Sequence, residues 1–153
     1  MSESSSPSQA AKTVPADWKE QVLRYQKPSL ARAIWQIINS VGLYAVFWYL
    51  AATTLIDSIW LSMGFATLAS GMLLRVFIIF HDCGHGSFFK SRKANDVVGF
   101  ITGALTLTPY YHWRWEHSVH HATSGNLDKR GMGDIWTLTM KEYLEGSAFL
   151  RFR

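Results

Sequence analysis

The chain has 153 residues, of which 48% are hydrophobic and 14% aromatic, with seven Trp and a formal net charge of +4. This length suits one domain at most. The basic residues flank the apolar middle of the chain, which argues against a nucleic-acid partner and favours a membrane protein. Cys83 is the only cysteine, so no intramolecular disulfide is possible and nothing indicates an oxidising compartment.

The first 28 residues divide into two parts. Residues 1–16 are rich in Ser, Ala and Pro and show no periodic apolar pattern, so we predict that they are disordered. In residues 17–28, Trp18, Val22 and Tyr25 recur at helical spacing before a proline, which predicts a short amphipathic helix. This segment is interpreted either as an interfacial approach helix or as a loosely ordered lead-in.

Two long apolar segments follow. Residues 34–55 contain no charged side chain, and residues 60–80 are interrupted only by Arg75. A helix of 22 residues is about 33 Å long, which is enough for a hydrocarbon core of about 30 Å. The segments therefore predict a two-span transmembrane helical hairpin in an all-α membrane protein. Arg75 is expected either to extend towards the membrane surface or to pair with a carboxylate or a lipid headgroup.

Positive charges set the orientation of this hairpin. Five basic residues precede the first span and three follow the second, while the turn between them carries none and contains Asp57. We therefore expect the N-terminus and both ends of the hairpin on the cytoplasmic side. A third apolar segment, residues 97–109, is too short to cross and is predicted to be a re-entrant or interfacial helix. It would leave the residues on either side of it on one face of the membrane.

Five of the six histidines fall into two clusters next to these apolar segments. The four-residue spacing of His81 and His85 places both imidazoles on one face of a helix that continues the second span. A second helix would carry the other cluster, His117, His120 and His121, on one face at spacings of three and four. Because imidazole is a good ligand for Fe, Zn, Cu and Ni, the two clusters predict a metal site on cytoplasmic helices.

The surroundings of the histidines narrow the metal chemistry. A zinc hydrolase of the HExxH class needs Glu after its first His, and Asp82 stands there instead. Five imidazoles also exceed the three protein ligands usual for catalytic zinc. These points favour two metals, or one metal with a large surplus of ligands, and a nitrogen-rich site with positions open for O₂ favours iron. Asp82, Glu116 and His112 are candidates for the layer around the ligands. Asp82 and Glu116 either orient an imidazole or remain solvated, whereas His112, outside both clusters, either packs and forms hydrogen bonds or is a further ligand.

Two stretches of this sequence look like a known family. HDCGHGSFF (residues 81–89) and WRWEHSVHH (residues 113–121) resemble the first and second histidine boxes of membrane fatty acid desaturases. The resemblance covers residues 30–145 and implies two non-haem iron ions, O₂ as co-substrate and an acyl-lipid substrate that gains a double bond. It also implies an electron donor such as ferredoxin or cytochrome b5 and a bacterial inner-membrane location. No catalytic side chain is implied beyond the metal ligands.

The resemblance leaves several alternatives open. The family carries a third histidine box after a second pair of spans, and this sequence contains neither. We therefore expect residues 29–153 to be the N-terminal portion of a desaturase domain with an incomplete metal site, inactive on its own. A hydroxylase or carotenoid ketolase shares the boxes, and a non-catalytic membrane remnant is the alternative from another class. The basic residues 90–93 either flank the membrane or dock an acidic donor or anionic headgroups.

Overall fold

The computed structural model describes residues 17–23, 25–131 and 136–152. Within these ranges the chain forms α-helices and no strand, which confirms the all-α class. The helices are α1 (Trp18–Leu23), α2 (Leu30–Thr54), α3 (Ile59–Gly84), α4 (Arg92–Leu105), α5 (Tyr110–Thr123), α6 (Met140–Glu145) and α7 (Ala148–Phe152). A short 3₁₀ turn, Leu127–Lys129, follows α5. The predicted disorder of residues 1–16 lies outside the described residues.

Helices α2 and α3 pack against each other as a hairpin. The side chain of Ser58 accepts a hydrogen bond from a backbone N–H of the first turn of α3 and so caps that helix. Next to the turn, the Ser62 hydroxyl donates to the carbonyl oxygen of Ala51 at 2.7 Å. Both helices are long and apolar enough to cross a membrane. Large apolar side chains such as Trp35 and Trp60 project outwards from them, as a lipid-facing surface requires.

Arg75 is paired within the hairpin. Its Nη2 atom donates to Oδ1 of Asn39 on α2 at 2.7 Å. The described partner is therefore a neutral amide, whereas the sequence predicted either extension towards the membrane surface or pairing with a carboxylate or a lipid headgroup. This hydrogen bond satisfies one of the five N–H donors of the guanidinium and links α3 to α2.

Helix α4 covers Arg92–Leu105, in place of the expected residues 97–109. It begins earlier because the Ser91 hydroxyl caps it by accepting a hydrogen bond from the N–H of Ala94 at 3.3 Å. It ends earlier because Leu107 adopts a φ of 54°, a left-handed conformation that interrupts a helix. Its position relative to a membrane stays a prediction.

Two glycines one turn apart let α4 pack closely on its neighbours. A Cβ at Gly99 would overlap the ring of Tyr110 on α5. A Cβ at Gly103 would lie 3.0 Å from the ring of Phe80 on α3. A larger side chain at either position would therefore have to displace α4 from the two helices that carry the histidines.

The buried core lies at the end of α3 that carries the first histidine cluster. Phe80 is fully buried, and the rings of Tyr110 and Trp113 lie 5.8 Å and 4.6 Å from it between centroids. Cys83 is 1% exposed and belongs to the same cluster, so it packs as a small apolar side chain. This core joins α3 to α5 and holds the two histidine-bearing helices side by side.

Candidate metal centre

The local structure of each helix explains where its histidines stand. Helix α3 runs without a break into the first cluster, so that His81 lies in its last turn and His85 is its C-cap residue. Gly86 then turns the chain with a φ of 70°, a conformation that favours glycine. Helix α5 carries the second cluster in its last two turns. The helical placement of both clusters therefore agrees with the spacing argument.

Three imidazole Nε2 atoms converge between α3 and α5, and a fourth lies beside one of them. The Nε2 atom of His117 lies 3.1 Å from those of His81, His85 and His121. The Nε2 atoms of His81 and His85 are 3.2 Å apart. An imidazole nitrogen carries at most one proton, so His117 Nε2 cannot satisfy three such neighbours by hydrogen bonding. Converging lone pairs instead suit a shared electron-pair acceptor such as a metal cation.

The separations also fit a metal bound by three imidazoles. Metal–nitrogen bonds of about 2.0–2.1 Å place neighbouring ligand nitrogens about 3 Å apart. The triangle formed by His81, His85 and His117 has sides of 3.1–3.2 Å, and these three residues offer ligand atoms that all lie within 4.8 Å of one another. An all-nitrogen set suits iron, zinc, copper or nickel. The residues present therefore fit a metal ion without selecting among these four.

The remaining two histidines lie at the edge of this triangle. The ring of His121 is 4.9 Å from that of His85 between centroids, and its Nε2 atom lies 3.1 Å from that of His117. The His120 ring stacks beside His117 at 5.6 Å with an interplanar angle of 20°. Helix α5 thus contributes His117 to the triangle, His121 within 3.1 Å of it, and His120 alongside.

The surroundings of two of these imidazoles, His85 and His117, disfavour their protonated forms. The pKa of His117 is lowered to about 4, first by burial and then by the proximity of His81 and the other imidazoles. Burial and the neighbouring imidazoles also lower the pKa of His85, against the opposing effect of Asp82. Neutral imidazole is the form that binds metal, so the lowered pKa values of His85 and His117 favour the metal-binding form of these two residues.

Asp82 contacts the outer nitrogen of a converging imidazole. Its Oδ1 atom lies 3.1 Å from Nδ1 of His81, which orients the ring so that Nε2 points to the centre. Glu116 instead pairs with His112, with 3.5 Å between Oε1 and Nε2 one helical turn apart. Among the three residues considered for the layer around the ligands, the described contacts therefore place only Asp82 against the converging histidines.

Trp113 supports the centre from α5. Its ring stacks on that of His117 at a centroid distance of 4.3 Å and an interplanar angle of 18°. A Cβ at Gly84 would lie 2.9 Å from the same indole, so the close approach of α3 and α5 requires glycine there. Gly86 has open space around it and serves the turn instead.

A polar network that the sequence analysis missed joins three helices behind the histidines. The Tyr110 hydroxyl donates to the carbonyl oxygen of Cys83 at 3.0 Å and lies 3.3 Å from Oδ1 of Asp96. The same Oδ1 accepts from Nη1 of Arg114 at 2.9 Å. Burial, followed by the charge of Asp96, raises the pKa of Tyr110 to about 12, so the phenol stays protonated. Because Cys83 lies between the histidines of the first cluster, this network fixes their backbone relative to α4 and α5.

Asn95 fixes the loop after the first cluster. It is 1% exposed, its Oδ1 accepts from the N–H of Phe89 at 2.9 Å, and its Nδ2 donates to the carbonyl oxygens of Phe89 and Ser91. These bonds satisfy most of the capacity of a buried amide. The signal that could have revealed this residue is its spacing of four from Gly99, and of four more to Gly103, which marks one closely packed face of α4.

A cavity of about 690 Å³ opens beside the converging imidazoles. Three of the histidines line it, together with the Asp96–Arg114 pair and aromatic side chains of α5. A cavity of this size is typical of sites for small ligands. The imidazole group is therefore accessible from outside the helix pair.

These features define a class of protein: an all-α chain with two helices of membrane-spanning length and a cluster of converging histidines where the second of them ends. A family model described as "Fatty acid desaturase" matches residues 58–153, more than half of the chain. The chain belongs to the fatty acid desaturase family.

Curated relatives show the same kinship. The chain is 47% identical to the "Fatty acid desaturase" of Bacillus subtilis (strain 168) over 128 residues, which cover 84% of this chain and 36% of that protein. It is 40% identical over 116 residues to the "sn-1 acyl-lipid omega-3 desaturase (ferredoxin)" of Synechocystis sp., with coverage of 75% and 30%. For the "Delta(12)-acyl-lipid-desaturase" of Punica granatum the identity is 31% over 109 residues, with coverage of 67% and 28%. The chain thus spans about a third of the length of these relatives. No solved structure shows a significant match.

Proposed function

We propose that this chain supplies the first two histidine boxes of an O₂-dependent fatty acyl desaturase that uses two iron ions. The observation that carries the proposal is the convergence of the His81, His85 and His117 Nε2 atoms at separations of 3.1–3.2 Å, with the Nε2 atom of His121 3.1 Å from that of His117. The candidate ligands therefore include His121. The proposed ligands are these four histidines together with His120. Bound iron would supply the redox chemistry with O₂ that an unactivated C–H bond requires, since acid–base side chains do not cleave such a bond.

In this proposal the protein's own residues bind the metal, orient its ligands and shield the site from water. Asp82 holds the His81 ring through Nδ1 and so directs its other nitrogen to the metal. Trp113 covers one face of His117 and limits the approach of water from the core side. The Tyr110–Asp96–Arg114 network keeps α3, α4 and α5 in register, so that the ligands are already arranged before metal arrives.

We infer an acyl lipid as the substrate and ferredoxin as the electron donor. The support is the similarity to a Synechocystis relative whose name gives both an acyl-lipid substrate and ferredoxin. Cytochrome b5 is the alternative donor, and reduction by each purified donor separates the two. We further propose an inner-membrane location with the N-terminus and histidines on the cytoplasmic side, because basic residues flank both ends of the hairpin.

A metal titration tests the proposed centre. The purified chain in a neutral detergent is titrated anaerobically with Fe(II), and with Co(II) as a spectroscopic probe of nitrogen ligation. The wild-type chain should bind both ions. His117→Ala should weaken binding by more than the roughly 10–100-fold that loss of an outer-shell partner costs. The matched control is His112→Ala, which removes an imidazole from the same helix outside the converging group.

Two results would contradict the assignment. If the wild-type chain binds neither ion, or if His112→Ala weakens binding as much as His117→Ala, the chain is a membrane hairpin without this centre. The reaction is tested separately, by mass spectrometry of lipids from cells that express the complete gene. Loss of two hydrogens from an acyl chain supports a desaturase, whereas gain of oxygen supports the hydroxylase or ketolase alternative.

A further inference from the structure

A second cavity lies at the same end of the hairpin, away from the five clustered histidines. It has a volume of about 670 Å³ and lies between the N-terminal end of α2 and the loop from α3 to α4. Three cationic side chains line it: Lys27, Arg32 and Lys90. We call this cavity the basic groove. Its walls come from segments some 60 residues apart in sequence, so it exists only in the folded chain.

The charges of the basic groove are unbalanced. None of the described residues that line it is acidic. None of the described ion pairs involves its three cations. The N-terminal ends of α2 and α4, at Ser29 and Ser91, also face it, and the N-terminus of a helix carries partial positive charge. The groove therefore favours an anionic ligand over a neutral polar one.

Apolar surface adjoins the same cations. Leu30 and Phe89 line the groove, and Leu30 is 65% exposed at the start of α2. The exposed side chains of Ile34 and Ile38 continue this surface along the helix. A small anion alone would leave this apolar surface uncovered. An amphiphile would place its charged group on the cations and its apolar chain along α2.

We propose that the basic groove binds the phosphate group of an anionic phospholipid, with an acyl chain of that lipid lying along α2. The inference rests on the membrane location of the proposed function and is independent of the metal centre. The groove lies where the first turn of α2 meets the loop after α3 and the start of α4, which is the level at which a headgroup would sit if both α2 and α3 cross the membrane. The bound lipid would hold the N-terminal end of α2 against the loop that follows the first histidine cluster.

Native mass spectrometry of the full chain tests the proposal. The protein is transferred from mixed phosphatidylglycerol and phosphatidylcholine micelles, and the lipid that remains bound is identified and quantified. The wild-type chain should retain phosphatidylglycerol in preference to phosphatidylcholine. The variant K27Q/R32Q/K90Q should lower that preference roughly tenfold or more, because each basic residue contributes to anionic-lipid binding. The control K93Q/K129Q/K141Q removes the same net charge from exposed lysines that do not line the groove.

Each outcome decides one point. Equal loss of preference in both triple variants would show general charge attraction and overturn the proposal, as would the absence of any preference in the wild-type chain. Displacement of the lipid by millimolar inorganic phosphate would show a site for free phosphate. Retention of an acidic protein without lipid would show a partner surface. The charge-conserving variant K27R/R32K/K90R should keep the preference, which separates lost binding from lost folding. Fe(II) binding should be unchanged in all three variants, so failure here leaves the metal centre unaffected.

Discussion

The hydroxyl of Tyr110 donates a hydrogen bond to the backbone carbonyl oxygen of Cys83 across 3.0 Å. These residues are 27 positions apart in sequence, and both are buried. One is the first residue of α5, and the other lies between the two histidines of the first cluster. This hydrogen bond therefore helps to fix the position of α5 along α3, close to the converging imidazoles.

Removing this hydroxyl should lower the stability of the contact between α3 and α5 without leaving a cavity in the core. Tyr110→Phe keeps the ring that packs on Phe80 but removes one of two donors to the Cys83 carbonyl oxygen, which still accepts from the N–H of Gly86 at 2.9 Å. The net loss of one such hydrogen bond costs about 0.5–1.5 kcal/mol. Unfolding in mixed detergents should show this loss, and Co(II) affinity should fall with it. Tyr111→Phe is the control, because Tyr111 is 62% exposed. Equal effects of the two substitutions would mean that the bond to Cys83 contributes nothing specific.

Gly99→Ala tests the close packing of α4 on α5. The added methyl group would overlap the Tyr110 ring, and overpacking of this kind costs about 1–3 kcal/mol. The free energy of unfolding should fall, and the ring of Tyr110 should move away from Asp96. Gly64→Ala is the matched control, since a Cβ there meets nothing within 4 Å. A Gly99→Ala protein as stable as the control would show that α4 packs less tightly than described.

Asp82→Asn should weaken metal binding while leaving every proposed ligand in place. The amide no longer offers a charged acceptor to Nδ1 of His81, whose ring orientation then depends on packing alone. Loss of such a partner costs roughly 10–100-fold in metal affinity. Co(II) titration measures the change, with Glu116→Gln as the control because Glu116 contacts His112 instead. An unchanged affinity in Asp82→Asn would mean that the contact of Asp82 with His81 contributes nothing to metal binding.

The segment after the second cluster should lose order in acid. Arg130 donates to both carboxylate oxygens of Glu142, at 2.5 and 3.0 Å, and Glu142 forms a capping box with Thr139 at the start of α6. The bond from Arg130 first, and then those from Thr139, lower the pKa of Glu142 from 4.5 to about 2. The folded-state pKa lies below the ordinary value, so this stabilisation is complete above about pH 4.5 and is lost as the pH falls towards 2.

Hydrogen exchange of the α6 amides as a function of pH measures this effect. Protection should decrease across that interval in the wild-type chain. In Glu142→Gln the same amides should be less protected at neutral pH and should show no further change in acid. Lys141→Gln is the control, since its 3.9 Å pair with Glu145 lies at the exposed surface and such pairs contribute little. A pH response that survives in Glu142→Gln would assign the transition to another group.

The sequence by itself determined the helical class, the two long apolar helices and the histidines to examine. Each of these follows from a periodicity along one helix or from a run of apolar residues, and such patterns are local. The spacing of His81 and His85 places both imidazoles on one face of a helix, whatever the tertiary fold. The resemblance of residues 81–89 and 113–121 to histidine boxes pointed to the family that the comparisons then showed.

Only the tertiary structure decided which side chains meet across helices. Asp82 and Glu116 are equivalent in sequence, as carboxylates beside histidines, yet one contacts His81 and the other pairs with His112. The contact of Tyr110 with Cys83, the pairing of Arg75 with Asn39 and the basic groove all join residues that are far apart in the chain. Their partners are set by how α2, α3, α4 and α5 pack together, and that packing depends on the shapes of buried rings and glycines and not on any local period.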